Sequence, residues 1–171
     1  MPKGILFSLA FLVCTMIYST ASAAAKRPPE VWNYYHFDGV AFTSGSAVDG
    51  SAFIAVREKT RPVVLTIETS PSESTPIPEG SGVIAGICYL QSTGGKLGSG
   101  SGFKSYPRVP LLISTAGKPF VTVQTDDLGY FVVVLPAATY TVGSGPATAE
   151  ISVEPGITTL VPLRVGKRMA D

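Results

Sequence analysis

The sequence predicts an all-β protein, most of it a two-sheet sandwich, and three observations carry that prediction. Apolar residues fill 45 % of the 171 positions, yet they fall in short runs. Eighteen glycines and 14 prolines punctuate those runs, and such residues break helices and seat turns. Where the runs alternate, they do so with a period of two, the period of a half-buried strand, and no helical periodicity persists. A charged fraction of 15 % with ample Val, Ile, Thr, Phe and Tyr argues against disorder.

The first element is a targeting segment. Lys3 gives a small positive start, Ile5 to Ile17 form a mostly apolar run, and Ala21-Ser22-Ala23 and Ala23-Ala24-Ala25 offer small-residue cleavage patterns. The run is short for a membrane span of about 20 residues. Residues 1–25 are therefore expected to be a cleaved signal peptide, with the mature chain starting at Ala24 or Lys26. Cys14 follows the bulky Val13, which disfavours acylation. The expected location is the periplasm, the outer surface or the extracellular space, with no membrane span after cleavage.

Cleavage leaves Cys88 as the one cysteine, so no internal disulfide forms. Cys88 alternates in phase with Ile84 and Leu90, as a small buried hydrophobe would. Loss of Lys3 leaves 12 basic and 12 acidic side chains, a balance that gives no steering toward nucleic acid or an anionic membrane.

Residues 26–69 read as an aromatic-rich β segment. After a leader from Lys26 to Pro29, candidate strands cover Val31–Phe42, Ala52–Arg57 and Pro62–Glu68. In the last, Val63, Leu65 and Ile67 alternate with Val64, Thr66 and Glu68. Residues 70–82 are rich in Pro, Ser and Gly, and read as a linker.

Residues 83–171 hold seven candidate strands: Val83–Gln91, Arg108–Ser114, Pro119–Thr125, Gly129–Leu135, Thr139–Gly143, Ala147–Val153 and Ile157–Val165. Seven short strands at this spacing indicate a sandwich. Pro162 within the last marks an edge strand or a bulge. The run Thr125-Asp126-Asp127-Leu128-Gly129-Tyr130-Phe131, followed by Leu135-Pro136-Ala137-Ala138-Thr139-Tyr140, resembles the carboxypeptidase regulatory-like family of transthyretin-like domains. Its members carry a Thr-Asp-x-x-Gly-x-Phe turn and a Leu-Pro-x-Gly-x-Tyr segment, with Val83-x-x-Gly86 a counterpart of an earlier strand motif. Ala138 departs from the pattern where glycine is usual. The resemblance runs from Gly82 to the C-terminus. It implies an immunoglobulin-like or prealbumin-like sandwich, often an accessory to secreted or surface proteins, without activity of its own.

Few residues offer chemistry. His36 is the single histidine, and no spacing of Asp, Cys and His suits a metal; no metal, cofactor or catalytic residue is predicted. Asp126-Asp127 sits where a turn needs Asx geometry. The glycine-rich stretch Ser92 to Phe103 lacks the ending of a phosphate loop; it reads as a mobile loop, or as a binding loop using Lys96, Phe103, Lys104 and Tyr106. Trp32, Tyr34 and His36 share one face of a strand, while Tyr35 and Phe37 share the other. These rings either pack on the sandwich or form a binding platform. The expected function is a non-catalytic exported interaction or assembly module, with a carbohydrate-binding accessory role for the N-terminal aromatics as the alternative. Expected partners are an envelope or extracellular protein, a polysaccharide, or another copy of the chain. The N-terminal segment is too small to fold alone without staples, so it should dock, within the chain or on a second copy.

Overall fold

The computed structural model describes residues 31–45, 50–66, 71, 74–93, 102–145 and 147–169. The predicted signal peptide, Ile67, Glu68 and Lys96 lie outside them. No helix among the described residues is long and apolar enough to cross a membrane.

The chain is all-β. The N-terminal sheet contains β1 (Asn33–Phe37), β2 (Phe42–Ser44), β3 (Phe53–Val56) and β4 (Val63–Leu65), in the antiparallel order β2-β1-β3-β4. One predicted strand, Val31–Phe42, is thus two, because Asp38 folds the chain between them. Its Oδ1 accepts hydrogen bonds from Val40 N and Ala41 N, both at 2.8 Å, and Gly39 takes φ 102°.

Eight further strands build the sandwich. They are β5 (Ser81–Thr93), β6 (Gly102–Ser105), β7 (Pro110–Thr115), β8 (Lys118–Gln124), β9 (Tyr130–Pro136), β10 (Ala138–Ser144), β11 (Ala147–Val153) and β12 (Thr158–Met169). Seven match the predicted strands; β6 is additional and lies in what reads as a loop. One sheet has the order β11-β10-β7-β8. In the other, β12 runs parallel to β5 on one side, while β9 and then β6 pair antiparallel with β5 on the other. Strand β12 is an edge with a bulge between Arg164 and Gly166, the two features that tolerate Pro162.

Strand β5 is the axis of the molecule, and both of its faces are buried. Ile84 and Cys88 point between the two sandwich sheets, with Leu111, Ile113, Phe131, Leu135, Val142 and Leu163. Ala85, Ile87 and Tyr89 point the other way and meet Phe37 and Ile54 of the N-terminal sheet. The N-terminal sheet therefore docks on its own chain as a third β layer. Gly86 makes the close packing around β5 feasible. A Cβ there would collide with the Val161 carbonyl oxygen and lie 2.8 Å from the Phe131 ring.

The proline-rich stretch is tied down within its described part. Arg61 N donates to Thr75 O at 2.8 Å, Ile77 N donates to Lys59 O at 2.9 Å, and Thr60 bridges Pro76. The prolines do not prevent this, because the donors on that strip belong to other residues.

Candidate functional site

The residues that could carry chemistry are used by the fold in turns and core. Thr125 is buried; its Oγ1 accepts from Val109 N at 2.8 Å and donates to Tyr106 O at 3.2 Å. Asp126 Oδ1 accepts from Leu128 N at 2.9 Å and from Tyr130 N at 2.8 Å, while Gly129 takes φ 83°. Asp127 pairs with Arg108 at 2.8 Å, both side chains well exposed. Such an Asx turn needs a short acceptor at its first position and glycine where φ is positive. Further on, Tyr140 Oη donates to Pro136 O at 3.0 Å, a tyrosine corner that ties the β9–β10 connection. Ala138 lies outside the left-handed region, so the turn forms with alanine.

Cys88 is buried and free, and desolvation pushes its thiol up to about 12, away from the range of a nucleophilic thiolate. His36 is half-buried, with Nδ1 3.0 Å from Gly45 O. No group of three or more His, Cys, Asp or Glu that could hold a metal occurs among the described residues.

The aromatic residues fall into two groups. Trp32 and Tyr34 are half-buried: Arg57 lies over the Trp32 ring at 5.5 Å, and Tyr34 meets Phe53 edge-on at 5.6 Å. Tyr35 shares the sandwich-facing side of β1 with Phe37 and sits opposite Ile54. Phe37 is only 5 % exposed and packs against Phe42, Tyr89 and Phe103, with centroids 5.7, 4.6 and 4.7 Å away. Phe37 is thus a core residue and offers no face to a ligand, because docking of the N-terminal sheet closes over it. Phe103, on β6, belongs to the same cluster. Lys104 is exposed and Tyr106 is 44 % exposed, its N donating to Cys88 O. The structure brings Phe37 and Phe103 together, and neither Trp32 nor Tyr106 joins them in the ring contacts among described residues.

A different feature is open to solvent. Among the described residues, each of the three layers ends on one flank in a strand with no further strand paired to it: β4 in the N-terminal sheet, β9 beside the first half of β5, and β8 in the opposite sandwich sheet. Strand β8 adjoins β9. Between β4 and β9 runs a groove of about 300 Å³, lined by Arg61, Pro62, Val63, Val64, Thr75 and Val132. On β8, Phe120 is 50 % and Val121 36 % exposed, Phe120 lying edge-on to Tyr140 at 5.6 Å.

The main chain of β9 is open on this flank too. Cys88 N donates to Gly129 O at 2.8 Å. Alternation along an antiparallel ladder then directs the main-chain groups of Phe131, Val133 and Leu135 at β5, and those of Val132 and Val134 away from it. Tyr130 also points outward, and Asp126 caps it: Tyr130 N donates to Oδ1 and Tyr130 O accepts from Asp126 N at 2.7 Å. Val132 and Val134 have no strand beside them among the described residues. The sequence signal for this edge is the uncharged run Phe131 to Leu135, although periodicity alone does not reveal which side lacks a neighbour.

No protein-family model matches the chain, and no curated protein matches it significantly. Two solved structures resemble it. One is a DUF3823 family protein from Parabacteroides merdae, with 16 % identity over 51 % of this chain and a TM-score of 0.36. The other is the minor pilin GBS52 of Streptococcus agalactiae, with 11 % identity over 76 % of this chain and a TM-score of 0.40. The chain spans 46 % of the first and 66 % of the second.

Proposed function

We propose that the chain is a non-catalytic, exported interaction or assembly module of the cell envelope or extracellular space, acting through the flank of strand edges. The observation that carries this reading is the surface left open there: exposed Phe120 and Val121, an apolar groove, and outward main-chain groups on β9. Uncovered apolar surface beside an unpaired edge is what a partner strand or surface engages. The residues with chemical potential point the same way, since Asp38, Asp126, Thr125 and Cys88 are all used in turns or core. Membership of the sandwich in the carboxypeptidase regulatory-like group belongs to the same reading, supported by the hydrogen-bonded Thr125–Phe131 turn and the Tyr140 corner.

Cross-linking of the purified mature chain to native envelope, alongside a Phe120→Glu variant, tests the reading. The expected result is a set of partners captured by the parent and lost by the variant, with unchanged melting. Equal capture by both overturns the assignment to this flank. A glycan array separates the alternative: specific polysaccharide binding abolished by Trp32→Ala and kept by Phe120→Glu replaces the assembly reading with the carbohydrate one.

A further inference from the structure

We infer that the free edge of β9 is a self-assembly site, where a second copy of this chain adds its own β9 antiparallel about a two-fold axis at Val133. The inference rests on the interaction reading above and names its partner.

The described edge strands differ in how they resist pairing. Strand β12 carries Pro162 and a bulge at Arg164/Gly166, and β8 carries Lys118, Pro119 and a bulge opposite Ile113/Ser114. Strands β2 and β4 have three residues each, β6 carries Lys104, and β11 carries Glu150. Prolines, charges, bulges and shortness are the usual defences of an edge. Strand β9 has none of them between Phe131 and Leu135, and its ladder with β5 runs without a register shift. Val132 packs on one side of the sheet and Val133 on the other, yet both stay half-buried while their neighbours Ile84 and Ala85 on β5 are fully buried.

The open groups are self-complementary. Val132 and Val134 flank Val133 symmetrically, and each offers one N–H and one C=O to the edge. A second copy set antiparallel places Val134 of one chain opposite Val132 of the other, in both directions, so each exchanges a pair of main-chain hydrogen bonds. The ends fit as well. Tyr130 is capped by Asp126, and Pro136 has no N–H while its carbonyl accepts from Tyr140 Oη, so the ends of the register leave no main-chain N–H without an acceptor. The side chains also match. Pairing puts the incoming Val134 on the same face as Val132, into the groove lined by Pro62, Val63 and Val64. A strand with a charged residue there would leave that charge among valines; β9 itself brings none.

Sedimentation equilibrium of the mature chain, with Val134→Pro and Val133→Cys variants, tests the pairing. The Val134 N–H points away from β5, so proline there leaves the internal ladder intact and removes two intermolecular hydrogen bonds from the dimer. The expected outcome is a concentration-dependent dimer in the parent, weakened at least about tenfold by Val134→Pro. Val133 and its copy would form a non-hydrogen-bonded pair with Cα atoms about 4.5 Å apart, within disulfide range. Mild oxidation of Val133→Cys should therefore give a covalent dimer, while Thr122→Cys on β8 should not. A monomeric parent, a dimer unmoved by Val134→Pro, or failure of Val133→Cys to cross-link overturns the inference. A monomer that still captures an envelope partner through Phe120 overturns the pairing alone and leaves the interaction reading standing.

Discussion

The two hydrophobic cores on either side of β5 are built from different materials. Between the sandwich sheets the filling is mostly aliphatic, with Ile84, Leu111, Ile113, Leu135, Val142, Ile151, Val153 and Leu163 interdigitating around Phe131 and Tyr140. Between the sandwich and the N-terminal sheet, rings dominate: Phe37, Tyr89, Tyr130, Phe42 and Phe103. The first core closes two long sheets whose registers fix every position. The second seats a short sheet on a finished surface, where a few large rings supply contact area at low entropic cost. Tyr130 serves both purposes, burying its ring there while its hydroxyl donates to Ala52 O at 2.7 Å. The N-terminal segment is thus a cover for one face of β5.

The sharpest way to break this picture is at Gly86, where β5 meets the inner core. Gly86→Val would drive a side chain into the Val161 carbonyl and the Phe131 ring, so β12 must move. The expected loss exceeds about 4 kcal/mol, beyond ordinary substitutions. Chemical denaturation measures it; near-native stability would mean that β12 is not held as tightly as β5 requires.

The outer interface should respond less. Phe37→Ala removes a buried ring and leaves a cavity, for an expected cost of about 3 kcal/mol. Intrinsic fluorescence of Trp32, the single tryptophan, reports the N-terminal sheet separately from whole-molecule circular dichroism. If both probes lose stability together, the layers unfold as one unit. If fluorescence shifts first, the N-terminal sheet is a separate cooperative unit laid over an independently stable sandwich.

How far this arrangement was legible follows from the same contrast. In the sandwich, apolar runs bounded by turn residues, with clear alternation around Val121 to Thr125 and Ala149 to Val153, let seven of its eight strands be read directly. Strand β6 escaped because Gly-Phe-Lys-Ser has one apolar residue, too few for any period to show. The N-terminal sheet was readable as strands but not in orientation. Val63 and Leu65 alternate with Val64 on two faces that are both apolar, and it is Val64 that meets the sandwich. Phe37 looks like part of a platform until docking buries it. Likewise, the pairing of Thr75 and Ile77 with Lys59 and Arg61 lies in main-chain groups, which composition does not report. The outward groups of Val132 and Val134 are hidden for the same reason.

The Asp126 turn offers a finer comparison, because it joins β8 of one sheet to β9 of the other. Asp126→Ala would release Leu128 N and Tyr130 N and loosen the cap on the end of β9. A loss of about 1.5 kcal/mol is expected. Asp126→Asn, which keeps an acceptor, should recover most of it in the same denaturation assay. Equal losses in both variants would show that charge, and not the acceptor geometry, holds the turn.

The smallest effect belongs to the matching turn of the outer layer, at Asp38. Its carboxylate accepts from Ala41 N and Val40 N and lies 3.2 Å from Thr43 Oγ1. The backbone hydrogen bond from Ala41, then that from Val40, holds its pKa below the usual 3.8. A carboxyl group whose folded pKa is depressed adds stability above the unfolded value, and that stability is lost as pH falls through the folded pKa. Asp38 is fully exposed, so water and salt screen the contribution, and it should fall short of that from Asp126. Asp38→Asn tests the sign. The parent should exceed the variant in stability at neutral pH, and the difference should shrink as pH falls below 3.8. A difference that stays constant across that range would show that the amide holds the β1–β2 turn less well for reasons other than charge. The two sheets would then be alike in how their turns are held, and different only in their cores.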